Sequence, residues 1–358
     1  MMWAKFTQNH AFSEQGCFLK LPQALEPHHT SCRAAAPKMV AGVKGVAFLD
    51  GDTMAVTSST KGELFLVSKA SQSVLRRVEL DVKAESLCAV PGTRRVLVAD
   101  GRGTLCCVDT ATEPATVACV AGSAHHAGGA MRLTSVAAWD DHTCFAAGAV
   151  RGDKTRCSVR RVDLVKNEVA EDALLEAPMV RALLAEPDRG RLLAGAIDCA
   201  DEESDDCATR LVALHASNDF AGPPEVLATV DFFVHAASRH SEDVYVLLAR
   251  HSGSKWEAPV KVVRLHAAGH SVLVSVQGIH ATLPISHGGA IAGLSYAGLM
   301  GGVFGVRAGR EHAMAVAPDG TLVTGCVDKS SRGILQLWNL EVPDAAAGTG
   351  STETTAAA

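Results

Sequence analysis

The stretch Arg310–Glu341, REHAMAVAPDGTLVTGCVDKSSRGILQLWNLE, sets the pattern for the whole chain. It holds a short apolar run from His312 to Ala317, a Pro318-Asp319-Gly320 turn, and a second run from Thr321 to Cys326. A polar loop and a third run, Ile334 to Leu340, follow. Pro318 presets the backbone of the turn and Gly320 supplies a permissive conformation. The first two runs are therefore expected to pair as antiparallel strands, with the third returning beside them.

The same cadence runs backward through the sequence. VKGVAFL, TMAVTSS, GELFLVS and SVLRRVEL, from Val43 on, are four β-rich runs separated by Gly-Asp, Thr-Lys-Gly and Ala-Ser-Gln breaks. SLCAVPG, RRVLVAD, GTLCCVD and ATVACVA repeat it, then LTSVAAW, TCFAAGAV, CSVRRVDL and EVAEDALL. VRALLAEP, RLLAGAID, TRLVALHA and EVLATVDF make the next unit, and VHAAS, VYVLLAR, VKVVRLHA and SVLVSVQ the one after. The third run of each unit ends on a recognisable pair: Val67-Ser68, Val108-Asp109, Val162-Asp163, Leu214-His215, Leu265-His266 and Trp338-Asn339. The steps between these pairs are 41, 54, 52, 51 and 73 residues. Such spacing argues for radial repetition of four-stranded units rather than a sandwich.

The order of residue types in the final unit resembles one blade of the WD40 family of β-propellers. His312 stands at that family's Gly-His histidine, Thr324 at its strand hydroxyl, Asp328 at its turn, and Trp338-Asn339 at its Trp-Asp. The resemblance implies that the side chains of His312, Thr324, Asp328 and Trp338 join in a hydrogen-bond network tying the outer strand to the turn. Asn339 departs from the Asp of the pattern, and Lys329–Arg332 lengthens a loop that is tight in the family. The expectation is an all-β chain folded as a single propeller of four-stranded antiparallel blades. HATLPIS, AIAGLSY and GVFGVRA, between His280 and Ala308, would bring the count to seven, with six as the alternative. The propeller is expected over residues 37–342, preceded by an extension at 1–36 and followed by a disordered low-complexity tail at 343–358. The run Cys17–Leu21 in that extension is a candidate strand to complete the last blade.

Composition narrows the functional classes. The 358 residues are 47% hydrophobic and 4% aromatic, enough Val, Leu and Ala for a large core. A net charge of -6 offers no broad basic field, so neither nucleic acid nor an anionic membrane is the expected partner. The uncharged run at 288–306 has Gly289-Gly293 and Gly298-Gly302 spacings, but seven of its 19 residues are Gly, and it reads as core strands rather than a membrane span. Eleven cysteines without a CxxC pair, and an N-terminal stretch without a secretory apolar core, point to a reducing compartment. The expected location is cytoplasmic, with the nucleus as alternative, and not secreted. Cys88, Cys106, Cys119, Cys144 and Cys326 fall in strand runs and read as packing residues.

No nucleophile elbow, phosphate loop or dinucleotide fingerprint occurs, and no cofactor or metal is expected. Cys199 and Cys207 flank an acidic segment at a spacing outside the usual zinc patterns, and the segment lacks the central Gly of a calcium loop. The loops between second and third strands are the long ones, and in a propeller they open on one rim. They offer a patterned candidate surface for a partner: Arg151, Lys154 and Arg156, then the acidic Asp201, Glu202, Glu203, Asp205 and Asp206, then Trp256, then Lys329 and Arg332. First-strand runs such as VKGVAFL, LTSVAAW and VRALLAEP read as small and apolar, leaving few acids or bases for a central channel. The expected function is a non-catalytic scaffold or adaptor that binds proteins within a complex. The alternative is a propeller enzyme of hydrolase or lactonase type with its site in the channel.

Overall fold

The computed structural model describes residues 43–58, 62–71, 73–120, 125–126, 129–150, 152–153, 155–198, 208–216, 220, 222–230, 233–249, 260–265, 273–276, 313–327 and 333–339. β1 (Val43–Phe48), β2 (Thr53–Ser58), β3 (Glu63–Ser68) and β4 (Ser73–Glu79) form an antiparallel sheet in chain order. β5 (Ala84–Ala89), β6 (Arg95–Asp100), β7 (Leu105–Asp109) and β8 (Thr116–Val120) form the second. In the third, the short β9 (His125–His126) pairs with β10 (Gly129–Ala138), followed by β11 (Thr143–Val150), β12 (Cys157–Asp163) and β13 (Glu168–Leu175). The fourth holds β14 (Met179–Glu186), β15 (Arg191–Asp198), β16 (Ala208–Leu214) and β17 (Glu225–Val230). The fifth holds β18 (Phe233–His240), β19 (Asp243–Ala249), β20 (Val260–Leu265) and β21 (Leu273–Val276). β22 (Ala313–Val316), β23 (Thr321–Val327) and β24 (Gly333–Asn339) make the sixth.

These are the meanders that turn chemistry marks in the sequence. The Pro-Asp-Gly turn joins β22 to β23 as expected: the Gly320 N–H donates to the Ala317 carbonyl at 3.0 Å, with Gly320 at φ +81°. Asp319 Oδ1 accepts the Thr321 N–H at 3.0 Å, so the side chain satisfies the backbone that the turn leaves open. Asp50, Asp100, Asp140 and Asp163 do the same at other hairpins.

The first strands β1, β5, β10, β14, β18 and β22 each pack against the next, and β22 returns to β1. Six sheets thus stand as blades around a central channel. β18 meets β22 directly, the Val316 N–H donating to Ser238 Oγ at 3.0 Å. The described blades number six. The stretch 280–308, read above as a further blade, lies outside the described residues. Residues 1–36 and 343–358 also lie outside, as does the uncharged run 288–306. Among the described residues no helix is long and apolar enough to cross a membrane.

The apolar core is divided into seams between neighbouring blades. Leu64 and Leu66 of the first blade cluster with Val96 and Val98 of the second, and Leu97 and Leu105 of the second with Leu133 and Cys144 of the third. Phe145 and Val159 meet Leu183 and Val212 across the next seam, and Leu193 and Leu211 meet Val244 and Val246 across the one after. Val43 and Val56 close the ring against Ala315 and Val323 of the sixth blade. Both faces of an inner strand are buried in this arrangement, which is why β6 carries the unbroken apolar run Val96–Ala99 and why β2 is buried along its whole length, its Thr and Ser residues included. Cys106 and Cys144 are buried packing residues as expected; Cys119 corrects that expectation, being exposed on β8, while the side chain of Cys326 lies outside the described residues.

Polar latches join the hairpins of successive blades at one end of the ring. Arg94 pairs with Asp50 at 2.6 Å, Arg95 Nη2 donates to the Asp141 carbonyl at 2.6 Å, and Arg239 Nη2 donates to Asp188 Oδ2 at 2.7 Å. Lys69 binds Asp319 across the closing seam. The hydrogen bond from Lys69 lowers the Asp319 carboxyl from the usual 3.8 to about 2. A lowered carboxyl adds stability that is fully present above the unfolded value and is lost as pH falls through the folded one. The unfolding midpoint of Asp319→Asn should therefore lie below wild type at neutral pH, with the gap closing between pH 3.8 and about 2. A gap that stays constant through that window would mean the latch contributes nothing through its charge.

Candidate functional site at the channel mouth

Every innermost strand whose start is described carries a β-bulge at the same place. The register of β1 on β2 shifts between Val43 and Gly45, and that of β5 on β6 between Ala84 and Ser86. β10 shifts between Leu133 and Ser135, β14 between Val180 and Ala182, and β18 between Val234 and Ala236. A bulge adds one residue to a strand and re-aims its side chain. The added residues are Lys44, Glu85, Thr134, Arg181 and His235, and all five line one end of the channel. Each is followed by a small residue, Gly45, Ser86, Ser135, Ala182 or Ala236, so the neighbouring first strands approach closely.

The sequence reading of first strands as small and apolar, with few acids or bases for the channel, is corrected here. A single polar letter inside VKGV, AESL, VRAL or VHAA looks like the solvent face of a strand, and only the bulge turns it toward the axis. A signal was present: a polar residue followed by a small one, at the same offset in each unit.

At the mouth Lys44 Nζ pairs with Glu85 Oε2 at 2.9 Å, and Arg132 Nη2 stands 4.0 Å from Glu85 Oε1. The Thr134 hydroxyl donates to the Val180 carbonyl, tying the third blade to the fourth. Arg181 and His235 complete the rim of a cavity of about 40 Å³, which opens into a channel of about 300 Å³. Below the mouth the walls are largely small and apolar, with Val46, Ala47, Ala137, Ala182 and Ala315 among them.

The second strands end on this same face, at Ser58, Val150, Asp198, Ala249 and Val327, so the loops that the sequence marks as a partner rim spring from around the mouth. Of the rim residues, Arg156 is described: it is exposed, and its Nε donates to Asp153 Oδ2 at 2.6 Å. Thr155 and Arg156 hold the Asp153 carboxyl far below the usual range. Asp198, at the start of the acidic segment, is bound by Arg210, Nη2 to Oδ1 at 2.7 Å. Arg151, Lys154, Asp201, Glu202, Glu203, Asp205, Asp206, Trp256, Lys329 and Arg332 lie outside the described residues. Of the expected blade network, Thr324 is buried in β23 opposite Met314 and Gln336. Trp338 faces Leu322 in the register of β24, while its side chain, His312 and Asp328 lie outside the described residues.

Several buried thiols of the described blades are held protonated. Burial pushes Cys88 and Cys157 up to about 12 and raises Cys107 and Cys144, the reverse of what an activated thiolate needs. Among the described residues no three His, Cys, Asp or Glu side chains gather as a metal-binding group.

Blades around a channel whose mouth carries one polar side chain from each of five inner strands define the class, a β-propeller with a patterned channel mouth. Neither a protein-family model nor a curated protein matches the chain. Among solved structures it is similar to regucalcin, a calcium-binding protein from Agrobacterium tumefaciens, with 15% identity over 88% of this chain and 94% of that one and a TM-score of 0.54. It is similar also to a luciferin-regenerating enzyme, with 10% identity over 84% and 91% of the two chains and a TM-score of 0.54. The β-propeller domain of Cps50 (Swd1) from Myceliophteria thermophila matches at 10% identity over 83% and 82%, with a TM-score of 0.49. At these identities the likeness is one of fold.

Proposed function

We propose that this propeller is a non-catalytic interaction scaffold of the WD40 type, which holds a protein partner on the face around the channel mouth. The observation that carries the reading is the ring of bulged residues. Lys44, Glu85, Thr134, Arg181 and His235 differ from blade to blade, so the ring presents a pattern to be recognised. The long loops with Arg151, Lys154, Arg156, the acidic segment, Trp256, Lys329 and Arg332 would extend that pattern outward. The scaffold reading also accords with the raised thiols, since none of those cysteines is prepared as a nucleophile.

The enzyme reading draws on the regucalcin-like fold, and calcium is the cation that comparison suggests. A calcium ion takes six to eight oxygen ligands. The described mouth offers one carboxylate, Glu85, already paired with Lys44 and flanked by Arg132 and Arg181, and this donor set does not suit a divalent cation.

The test uses Arg132→Glu together with Arg181→Glu against the partner that co-purifies with the protein. Binding should weaken by about tenfold or more, chiefly through slower association, while the unfolding midpoint holds. Unchanged binding by a folded double variant sinks the reading, as does turnover of lactone or ester substrates that this variant abolishes.

A further inference from the structure

We propose that Cys106 and Cys119 form a redox-sensitive thiol pair, a modification site that hydrogen peroxide oxidises to a disulfide and a dithiol reductant reopens. The proposal goes beyond the scaffold reading and does not depend on it. The two cysteines face each other in direct register across the antiparallel pair of β7 and β8. Cα atoms of such partners lie about 4.5 or 5.5 Å apart, inside the range of about 4.4 to 6.8 Å that a disulfide spans. The two sulfurs belong to free thiols and stand 3.3 Å apart. Closing them to a bond of about 2.05 Å takes a side-chain adjustment of roughly 1.3 Å and no change of register. Alternation along the strand sends the neighbouring Cys107 to the other face of the sheet, opposite Ala118, so Cys106 is the partner Cys119 can reach.

The surroundings give the two sulfurs different parts. Among the cysteines whose side chains are described, only Cys119 is exposed, and an oxidant in solution meets it first. Cys106 is 1% exposed. Burial first, and then the hydrogen bond and the charge of Cys119, push the Cys106 thiol up, so it keeps its proton while Cys119 reacts. The Cys119 thiolate attacks one oxygen of the peroxide: an S–O bond forms, the O–O bond breaks, and the departing oxygen takes up a proton and leaves as water. Cys119 is now a neutral sulfenic acid, and its charge no longer opposes ionisation of Cys106. The Cys106 sulfur then attacks that of Cys119; the S–S bond forms, the S–O bond breaks, and the oxygen leaves as a second water with the proton from Cys106. Two thiols have given up two electrons and one peroxide has become two waters. The consequence falls on β8, the last strand of its sheet, whose residues Thr116–Cys119 are exposed and which pairs with β7 alone among the described strands. A covalent tie across the hairpin suppresses the fraying to which such a strand is otherwise open.

The experiment treats the full chain with a small molar excess of hydrogen peroxide, alkylates the remaining thiols and maps linked peptides by mass spectrometry. Asp109 and Glu113 lie between the two cysteines, so cleavage at acidic residues leaves them on separate peptides held together by the disulfide. The expected result is a Cys106–Cys119 link that dithiothreitol removes, with amide exchange in β8 slowed by about tenfold or more in the oxidised protein. Cys107→Ser should form the link as wild type does, whereas Cys106→Ser should leave Cys119 as a sulfenic acid that dimedone traps. Wild-type protein in which Cys119 stays unreacted, is overoxidised, or links to a different cysteine overturns the proposal, and that outcome needs no variant to fold. A link that forms while exchange in β8 is unchanged overturns the clasping of the strand.

Discussion

Replacing Glu186 by Ala should lower the stability of the protein by about 3 kcal/mol, read from denaturant unfolding. Glu186 ends β14 with its side chain fully buried, and its two oxygens bind Arg189 Nη1 at 2.8 Å and Arg191 Nε at 2.6 Å. Arg189 also reaches Glu242 on the β18–β19 turn, and Arg239 of the fifth blade binds Asp188 beside it. The carboxylate therefore anchors the polar clasp between the fourth and fifth blades. Removing it leaves two cations facing each other with three-quarters or more of each side chain covered, at 21% and 25% exposure. The cost lies mainly in stranding Arg191 and in leaving Arg189 with Glu242 as its remaining carboxylate, rather than in the pairs' own attraction. Accordingly, Glu186→Leu combined with Arg189→Met and Arg191→Met should recover most of the loss. A single variant within 1 kcal/mol of wild type would show that the arginines simply rehydrate.

Gly325→Val should cost a similar amount, about 3 kcal/mol, at the seam that closes the ring. A Cβ on Gly325 of β23 would stand 2.4 Å from Val43 Cγ1 and 2.8 Å from Val43 Cβ. Val43 is fully buried in β1 and belongs to the cluster shared by the first and sixth blades, so it has nowhere to move without displacing its strand. Gly195 plays the same part between the fourth and fifth blades, where an added Cβ would lie 3.0 Å from Val234. The clash is specific, so Val43→Ala should be less harmful in the Gly325→Ala background than alone, and the two effects should not add. Strict additivity of the two substitutions would remove the contact from the argument.

Strand positions and their grouping were open to reading because their causes are local. Apolar runs of six or so residues broken by Gly-Asp and Pro-Asp-Gly turns specify hairpins wherever they occur, and β22 and β23 pair about Gly320 as those three turn residues require. The third strands end at Ser68, Asp109, Asp163, Leu214, Leu265 and Asn339, on or beside the pairs that set the repeat. Blade number was less legible. A run such as HATLPIS has the composition of a strand, but which strands become neighbours is decided by contacts far along the chain, such as that of β18 with β22 through Ser238 and Val316.

By itself, then, the sequence determined an all-β chain of repeated meanders, because β propensity and turn chemistry act over a few residues. The tertiary structure decided what those meanders enclose. Lys44, Glu85, Thr134, Arg181 and His235 lie 41 to 54 residues apart from one to the next and share a surface only because five registers slip at the same place and five strands meet around one axis. Glu186 looks like the polar end of a strand in VRALLAEP, and it is buried only because Arg189 and Arg191 fold over it. Burial and the direction of a side chain depend on register and on neighbours far along the chain, and neither is written in the residue itself.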